Sequence, residues 1–250
     1  MIVPRCFRLL LWPMLLSGVP AIADAASVSP VHVEMVSAGR ASRAQITVTN
    51  TGSAPLPVEA SLQQLLIGNN GERVFKAGGD QFLVFPPQAM IPAGGVQVFR
   101  VQWVGEPLLK ASETYMLSIS QLPVQLPKSQ SGVQVAASFG VVINVAPPRG
   151  MPQLRVVAAA VTRGKDGALR PTITVENPTN VHALLPQSTI RLSAGSWSQV
   201  LNAPALSQGL GIGIVQPGTR RTFVLPAALP VNAGPLEAVL DYRPKPRRGG

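Results

Sequence analysis

Two histidines, His32 and His182, are the side chains of this 250-residue chain best suited to metal or acid–base chemistry. A zinc site needs three or four ligands at suitable spacing, but the chain has no H-x-x-x-H pair and a single cysteine, Cys6. It has no G-x-S-x-G elbow, and its 11 acidic residues are scattered. A Ser-His-acid triad is defined by geometry, so the sequence leaves it open. The pattern predicts a protein without catalytic residues, metal, cofactor or small-molecule substrate.

A glycine pattern, Gly209-x-Gly211-x-Gly213, resembles the start of a dinucleotide-binding loop. In such a loop a helix begins directly after the glycines, but here Pro217 and Gly218 follow. A loop between strands is therefore the preferred interpretation, and no nucleotide is expected.

Basic residues crowd into the last eight positions, 243–250, in a chain whose net charge is +10. Such a cluster is compatible with nucleic-acid or membrane-surface binding. The rest of the chain, however, has no basic helix and no basic stripe interleaved with aromatic residues. The pattern favours a solvated, flexible basic tail and no nucleic-acid partner.

The first 26 residues have the three parts of a secretion signal. Arg5 and Arg8 precede an apolar run from Leu9 to Val19, and Ala21-Ile22-Ala23 supplies small residues for cleavage. A membrane anchor is the alternative, but the apolar run is shorter than the roughly 20 residues that span a bilayer. The sequence therefore predicts a signal peptide at 1–26 and an exported protein.

Alternating apolar and polar residues predict a chain built from short strands. The segments Ala44–Asn50, Phe82–Phe85, Val96–Trp103 and Arg170–Val175 alternate or are continuously apolar, and turn residues such as Gly68-Asn69-Asn70-Gly71 separate the strands. No window after the signal has a convincing 3.6-residue period. An all-β fold is expected.

A proline-rich segment, residues 146–152, divides the strands into two sets and has three prolines in seven residues. The predicted organisation is a first β-sandwich domain at 27–147, a second at 148–242 and the tail at 243–250. Each of the two domains has the size of an immunoglobulin-like domain.

Several stretches, taken in order, resemble the periplasmic pilus-assembly chaperones of the chaperone-usher family. They are QITVTNTG at 45–52, FLVFPPQAMIPAGGVQVFRVQ at 82–102, VENPTN at 175–180, VQPG at 215–218 and VLDY at 239–242. The resemblance implies two immunoglobulin-like β-sandwiches joined by a short proline-rich linker. It also implies a periplasmic protein that binds pilus or fimbrial subunits, stabilises them by donor-strand complementation and delivers them to an outer-membrane usher.

The strand that would be lent to a subunit is identified by its alternation. Its odd-numbered residues are apolar, and the predicted subunit-binding positions are Val133, Val135, Ala137, Phe139 and Val141. The polar segment Lys128–Gly132 precedes them. The part from 133 to 139 is expected to reach the partner, and the part from Val141 onward to pack in the chain's own core. An ordinary half-buried strand would alternate in the same way, and self-association through this strand is also left open.

One departure from the family pattern concerns the basic residues that hold the carboxyl terminus of the subunit. Glu34 and Val142 occupy the positions at which the family has arginine and lysine, so the chain resembles a divergent branch and its anchor is unknown. The alternatives that the sequence offers are Arg40, Arg43, Arg100 and Arg149. The rival function is a structural or adhesive β-sandwich protein of the cell surface, which would need no lent strand.

Overall fold

The computed structural model describes residues 26–123 and 136–245. Within these ranges the regular structure is almost entirely β-strand, with one α-helix. No helix in the described part is long and apolar enough to cross a membrane. The predicted signal peptide, apart from Ala26, and residues 246–250 of the tail lie outside the described residues.

The first ten strands form two facing sheets. The strands are β1 (Ala26–Ser29), β2 (His32–Val36), β3 (Arg43–Asn50), β4 (Leu56–Ile67), β5 (Arg73–Lys76), β6 (Phe82–Phe85), β7 (Gln88–Ile91), β8 (Val96–Trp103), β9 (Glu113–Gln121) and β10 (Ser138–Ala146). One sheet has the order β1-β3-β8-β6. The other has the order β2-β10-β9-β4-β5, and β7 also pairs with β4.

The remaining strands form a second sandwich after a segment, 147–154, that has no strand or helix. They are β11 (Arg155–Arg163), β12 (Leu169–Glu176), β13 (Ala183–Leu184), β14 (Ser188–Ala194), β15 (Trp197–Leu201), β16 (Ile214–Val215), β17 (Arg220–Val224) and β18 (Glu237–Tyr242). Helix α1 (Ala203–Leu210) lies between β15 and β16. The sheet orders are β11-β12-β17, β13-β16 and β15-β14-β18. The predicted all-β class with two immunoglobulin-like sandwiches is confirmed.

Alternation places the core of the first sandwich between its sheets. On β8 the side chains of Phe99, Val101 and Trp103 point inward and are buried, whereas Val96 and Val98 on the opposite face are exposed. Phe82 packs edge-on against the ring of Trp103, with ring centroids 5.1 Å apart. These inward residues follow the two-residue period of a strand, which is why the sequence predicted the bounds of β6 and β8 correctly.

Helix α1 corrects the expectation that no helix would be found. It has eight residues, too few for a 3.6-residue period to stand out. Its ends carry ordinary signals: the Asn202 side chain accepts a hydrogen bond from the Ala205 amide, and Gly211 closes the helix at φ 63°. The glycine pattern at 209–213 therefore begins inside the end of a helix rather than in a loop between strands.

A buried asparagine at the end of β3 joins the two sheets of the first sandwich. The Nδ2 atom of Asn50 lies 2.8 Å from the carbonyl oxygen of Ala54, 3.1 Å from that of Ile91 and 3.0 Å from that of Pro92. Its Oδ1 accepts a hydrogen bond from the Gly52 amide at 3.0 Å. Since Asn50 is only 2% exposed, no water replaces these contacts, and the side chain fixes the turn that follows β3.

The same arrangement recurs in the second sandwich at Asn177, directly after β12. Its Nδ2 donates to the carbonyl oxygens of Val181 at 2.7 Å and Val215 at 3.0 Å. Its Oδ1 accepts from the Thr179 amide at 3.0 Å. The matching motifs that the sequence shows in its two halves, TNTG and ENPT, thus do the same physical work.

Replacing Asn50 with aspartate is expected to lower the free energy of unfolding by about 2–4 kcal/mol. The new carboxylate oxygen would face the carbonyl oxygens that the amide now satisfies, with no donor to offer them. Urea denaturation measures the effect. Asn202→Asp is the matched control, because either side chain caps α1, and a change within about 0.5 kcal/mol is expected there. Equal stabilities of the two variants would contradict the bridging role of Asn50.

Candidate functional site

Strand β10 has a partner along its whole length on one side and along only half on the other. Strand β9 pairs with it from Ser138 to Val145, and β2 pairs with it from Val142 to Ala146. The hydrogen bond from the Val142 amide to the Val31 carbonyl, at 3.0 Å, lies at the start of the β2 pairing. Among the described residues, the stretch 138–141 therefore has an open edge on the β2 side.

The backbone groups that face this open edge belong to the even-numbered residues. The Val142 amide points to the β2 side, and alternate residues of a strand point their backbone groups to the same side. The Ala137 carbonyl instead accepts from the Gln121 amide at 2.8 Å, on the β9 side. The amide and carbonyl groups of Ser138 and Gly140 are therefore available to a further strand.

The side chains of β10 divide at Phe139. Val141, Ile143 and Val145 are fully buried in the core of the first sandwich. Phe139 is half-buried and packs against the edge of that core, and Ala137 is exposed. Of the predicted subunit-binding residues, Val133 and Val135 lie outside the described residues, as does the preceding segment Lys128–Gly132. Val141, also among the predicted contacts, has no exposed surface to offer a partner.

A polar cluster lies beside this strand, where the two sandwiches meet. The carboxylate of Glu34, on β2, accepts hydrogen bonds at Oε1 from Asn144 Nδ2 at 2.8 Å and from His32 Nε2 at 2.7 Å. At Oε2 it accepts from Nε2 of His182, in the second sandwich, at 2.6 Å. Asn144 is held in turn by Thr114, whose hydroxyl donates to Asn144 Oδ1 at 2.9 Å. One carboxylate thus joins β2, β10 and the second sandwich.

The protonation of the cluster follows from the donors that the carboxylate needs. A carboxylate oxygen only accepts, so both histidines carry hydrogen on Nε2. Burial alone would raise the pKa of Glu34, but the hydrogen bonds from His182, His32 and Asn144 outweigh it and hold that pKa well below its usual range. Nδ1 of His182 is buried and has no hydrogen-bond partner in the described part of the chain.

His32 and Glu34 are two residues apart on β2, so the alternation of a strand puts them on one face, and the structure brings their side chains together. It gave no reason to join them to His182, about 150 residues further along the chain. Their convergence depends on how the sandwiches pack. The described residues contain no group of three or more His, Cys, Asp or Glu side chains arranged to hold a metal ion.

A groove of about 780 Å³ opens between the sandwiches next to this cluster. Val31 and His32 line it from the first sandwich, and residues of α1, with Arg243 and Lys245, line it from the second. The Arg243 amide donates to the Gln187 carbonyl at 2.9 Å, which fixes the beginning of the basic tail along the second sandwich. Sequence reasoning treated these residues as a frayed terminus and missed this position. The signal that could have found it is the VLDY motif at 239–242, whose alternation is typical of a strand ending directly before Arg243.

The four arginines that the sequence offered as anchors lie outside the groove between the sandwiches. Arg43 and Arg100 line a separate cavity of about 450 Å³ on the other sheet. Arg40 lies in a short 3₁₀ turn, and Arg149 is exposed in the segment after β10. None of the four lines the groove between the sandwiches.

Comparison with known proteins bears on residues 27–148, which match the family described as pili and flagellar-assembly chaperone, PapD N-terminal domain. No curated protein matches the sequence. The matched range contains β1 to β10, and hence the open edge and Glu34.

Solved structures resemble the whole two-sandwich chain. The class 5 fimbriae chaperone CfaA is 12% identical, with a TM-score of 0.54, over 90% of this chain and 96% of its own. A chaperone–tip adhesin complex of CFA/I fimbriae biogenesis is 11% identical, with a TM-score of 0.53, over 90% of this chain and 95% of its own. The Salmonella enterica SafA pilin–SafB chaperone complex is 16% identical, with a TM-score of 0.51, over 88% of this chain and 97% of its own. At these identities the likeness establishes the shared fold. Residues 27–148 thus match the pili and flagellar-assembly chaperone family in sequence, and the chain shares the two-sandwich fold of these solved fimbrial chaperones.

Proposed function

We propose that this chaperone binds pilus or fimbrial subunits in the periplasm by adding β10 and the residues before it to an incomplete subunit sandwich. The observation that carries the proposal is the open edge of β10 at Ser138–Val141. Its family is one of non-enzymatic assembly chaperones, and the SafB structure contains a pilin.

The physical basis is strand addition. A β-sandwich that lacks one strand exposes an unpaired edge and an open core, which makes it prone to aggregation. A lent strand must satisfy the edge with backbone hydrogen bonds and fill the core with every second side chain. Ser138 and Gly140 supply the backbone groups, and Ala137 and Phe139 supply side chains at alternate positions. Val133 and Val135, which continue this alternation in the sequence, lie outside the described residues. Because Val141 is buried in the chaperone's own core, the proposed contact ends at Phe139.

Release would follow when the subunit exchanges the lent strand for a better-fitting strand at an outer-membrane usher. Such an exchange needs no nucleotide or other cofactor, since the backbone pairing is replaced rather than broken. The open edge also gives the free chaperone a surface through which two copies could pair.

Ser138→Pro is expected to weaken the complex with a co-expressed subunit by about tenfold or more, because proline removes an amide that faces the open edge. The β9 side of the strand uses the backbone groups of odd-numbered residues and is preserved. Ser138→Ala is the matched control: it removes only the hydroxyl, which lies 2.9 Å from that of Ser120. Recovery of the one-to-one complex and its dissociation constant are measured. Equal binding by the two variants would sink the assignment of this edge.

Ala137→Asp and Phe139→Asp test the side-chain face in the same assay. Both are expected to abolish the stable complex, because each would place a carboxylate in the apolar core of the subunit. Ala137 is exposed, so its variant should fold normally even if Phe139→Asp is less stable. Leu83→Asp, at an exposed position on the other sheet, is the control and should bind as wild type. Undiminished binding by Ala137→Asp would show that the lent face lies elsewhere.

The carboxyl terminus of the subunit is the natural ligand for a basic group in the groove. Lys245 lines the groove and has no carboxylate partner within hydrogen-bond distance in the described part of the chain. Lys245→Glu is therefore expected to weaken subunit binding about tenfold, whereas Lys165→Glu, in an exposed turn, should not. A subunit ending in a carboxamide should lose the same affinity for the wild-type protein and none for the variant. Equal affinity of both subunit forms for wild type would remove Lys245 as the anchor.

A further inference from the structure

The second sandwich contacts one end of the six-stranded sheet beside β2, beside β9, and at the end of β4 and the turn that follows it. Strand β2 is parallel to β10, β9 is antiparallel to β10, and β4 is antiparallel to β9. The ends of β2, β10 and β4 and the beginning of β9 therefore lie at the same end of the sheet. Between β2 and β4 there are three strand spacings, or about 14 Å. The contacts are spread across this width.

The contacts at β4 and β9 are neutral and involve the backbone. The Gln216 side chain donates from Nε2 to the Leu65 carbonyl at 2.8 Å, and its Oε1 accepts from the Ile67 amide at 2.9 Å, so it pairs with β4 as the backbone of a neighbouring strand would. Beside β9, the Ser112 amide donates to the Asn180 carbonyl at 2.9 Å. These bonds hold the second sandwich at the middle and at the β4 side of the sheet.

The contact at the β2 side is the hydrogen bond between Glu34 and His182. Among the described residues it is the one contact between the sandwiches that has ion-pair geometry. It lies beside the groove, since His32, which also binds Glu34, is a wall residue of that groove. The His182 side chain is 2% exposed, so its ring cannot turn to another partner in solvent.

We propose that Glu34 is a positioning residue that sets the width of the groove between the sandwiches, and thereby the affinity for a subunit. Its carboxylate draws together three donors, from His32, Asn144 and His182. Asn144 is on the strand with the open edge, so the same carboxylate fixes that strand relative to the opposite groove wall. The effect of Glu34 on subunit affinity rests on the proposed function. Its effect on the groove does not, because the groove is present in the free protein.

A consequence of this role is that the cluster is an anion-binding site occupied by the chain's own side chain. Glu34→Ala would leave the three donors converging on a space the size of a carboxylate. Acetate is therefore expected to raise the melting temperature of Glu34→Ala by about 2–4 °C more than chloride does at equal ionic strength. Glu59→Ala, which removes an exposed glutamate from β4, is the control and should respond equally to both salts. A loss of stability in Glu34→Ala that acetate does not restore would overturn the proposal.

The relative position of the two sandwiches, on which the groove width depends, is measured in the free protein with spin labels on Ser27 of the first sandwich and Val231 of the second, with Cys6 replaced. Both sites are exposed. Glu34→Ala should broaden the distance distribution, and acetate should narrow it again. In the binding assay the same variant should raise the dissociation constant of the subunit about tenfold, with partial recovery in acetate. Wild-type distances and affinity in Glu34→Ala would refute the role.

Subunit binding and the groove width of the free protein are tested by different variants. Ser138→Pro should weaken subunit binding by about tenfold or more while leaving the label distances of the free protein unchanged, because Ser138 does not contact the cluster. If the wild-type protein binds no subunit, the proposed function is wrong, and the distances of Glu34→Ala still decide whether Glu34 sets the groove.

The hydrogen bond between Glu34 and His182 should persist down to pH 4.5. The pKa of Glu34 is lowered on folding, so its stabilisation is complete above the ordinary glutamate value of 4.5 and is lost only as the pH falls through the lower folded value. The charged or titratable groups that face it are His32, His182 and, across a small cavity, Lys245. Each attracts the carboxylate when cationic. The distances between the spin labels should therefore stay constant from neutral pH to pH 4.5. A broader distance distribution at any pH above 4.5 would contradict the positioning role of Glu34.

Discussion

Strand β10 takes part in two different backbone pairings, and the architecture of the first sandwich follows from them. One strand completes the core of its own sandwich with Val141, Ile143 and Val145, yet it runs on beyond the start of β2. A strand that is half enclosed and half open can bind a partner without unfolding its own domain, because the two halves use different hydrogen bonds. The parallel pairing with β2 thus determines both how firmly β10 is held and where it becomes available.

Alternation explains why much of this fold could be predicted from the sequence. Strands with one face buried, such as β6 and β8, show a two-residue period and have sharp turn residues at their ends. The short helix α1 and the two-residue strands β13 and β16 were missed because they are too short to show any period. The open edge could be located only approximately, since pairing is a property of neighbouring strands.

The interdomain cluster shows a different limit. Glu34 and Asn144 are neighbours because of strand register, and register is specified by which residues must face the core. His182 joins them through the packing of one sandwich on another, for which the sequence offers no period and no spacing rule. In the sequence, the one signal that singles out the glutamate is the resemblance to the pilus chaperones, which leads one to expect arginine at this position. In the structure the carboxylate at this position accepts hydrogen bonds from three donors, and one of them lies in the second sandwich.

The turn between β4 and β5 has a consequence for the chemical ageing of the protein. Asn70 and Gly71 form an exposed Asn-Gly step, the context in which asparagine deamidates most readily, through a cyclic imide. The isoaspartate that results inserts an extra methylene into the main chain. The adjacent Asn69 carbonyl accepts a hydrogen bond from the Thr222 amide of the second sandwich at 2.7 Å. Slow deamidation of Asn70 during storage would therefore displace the hydrogen bond between Asn69 and Thr222, which joins the two sandwiches.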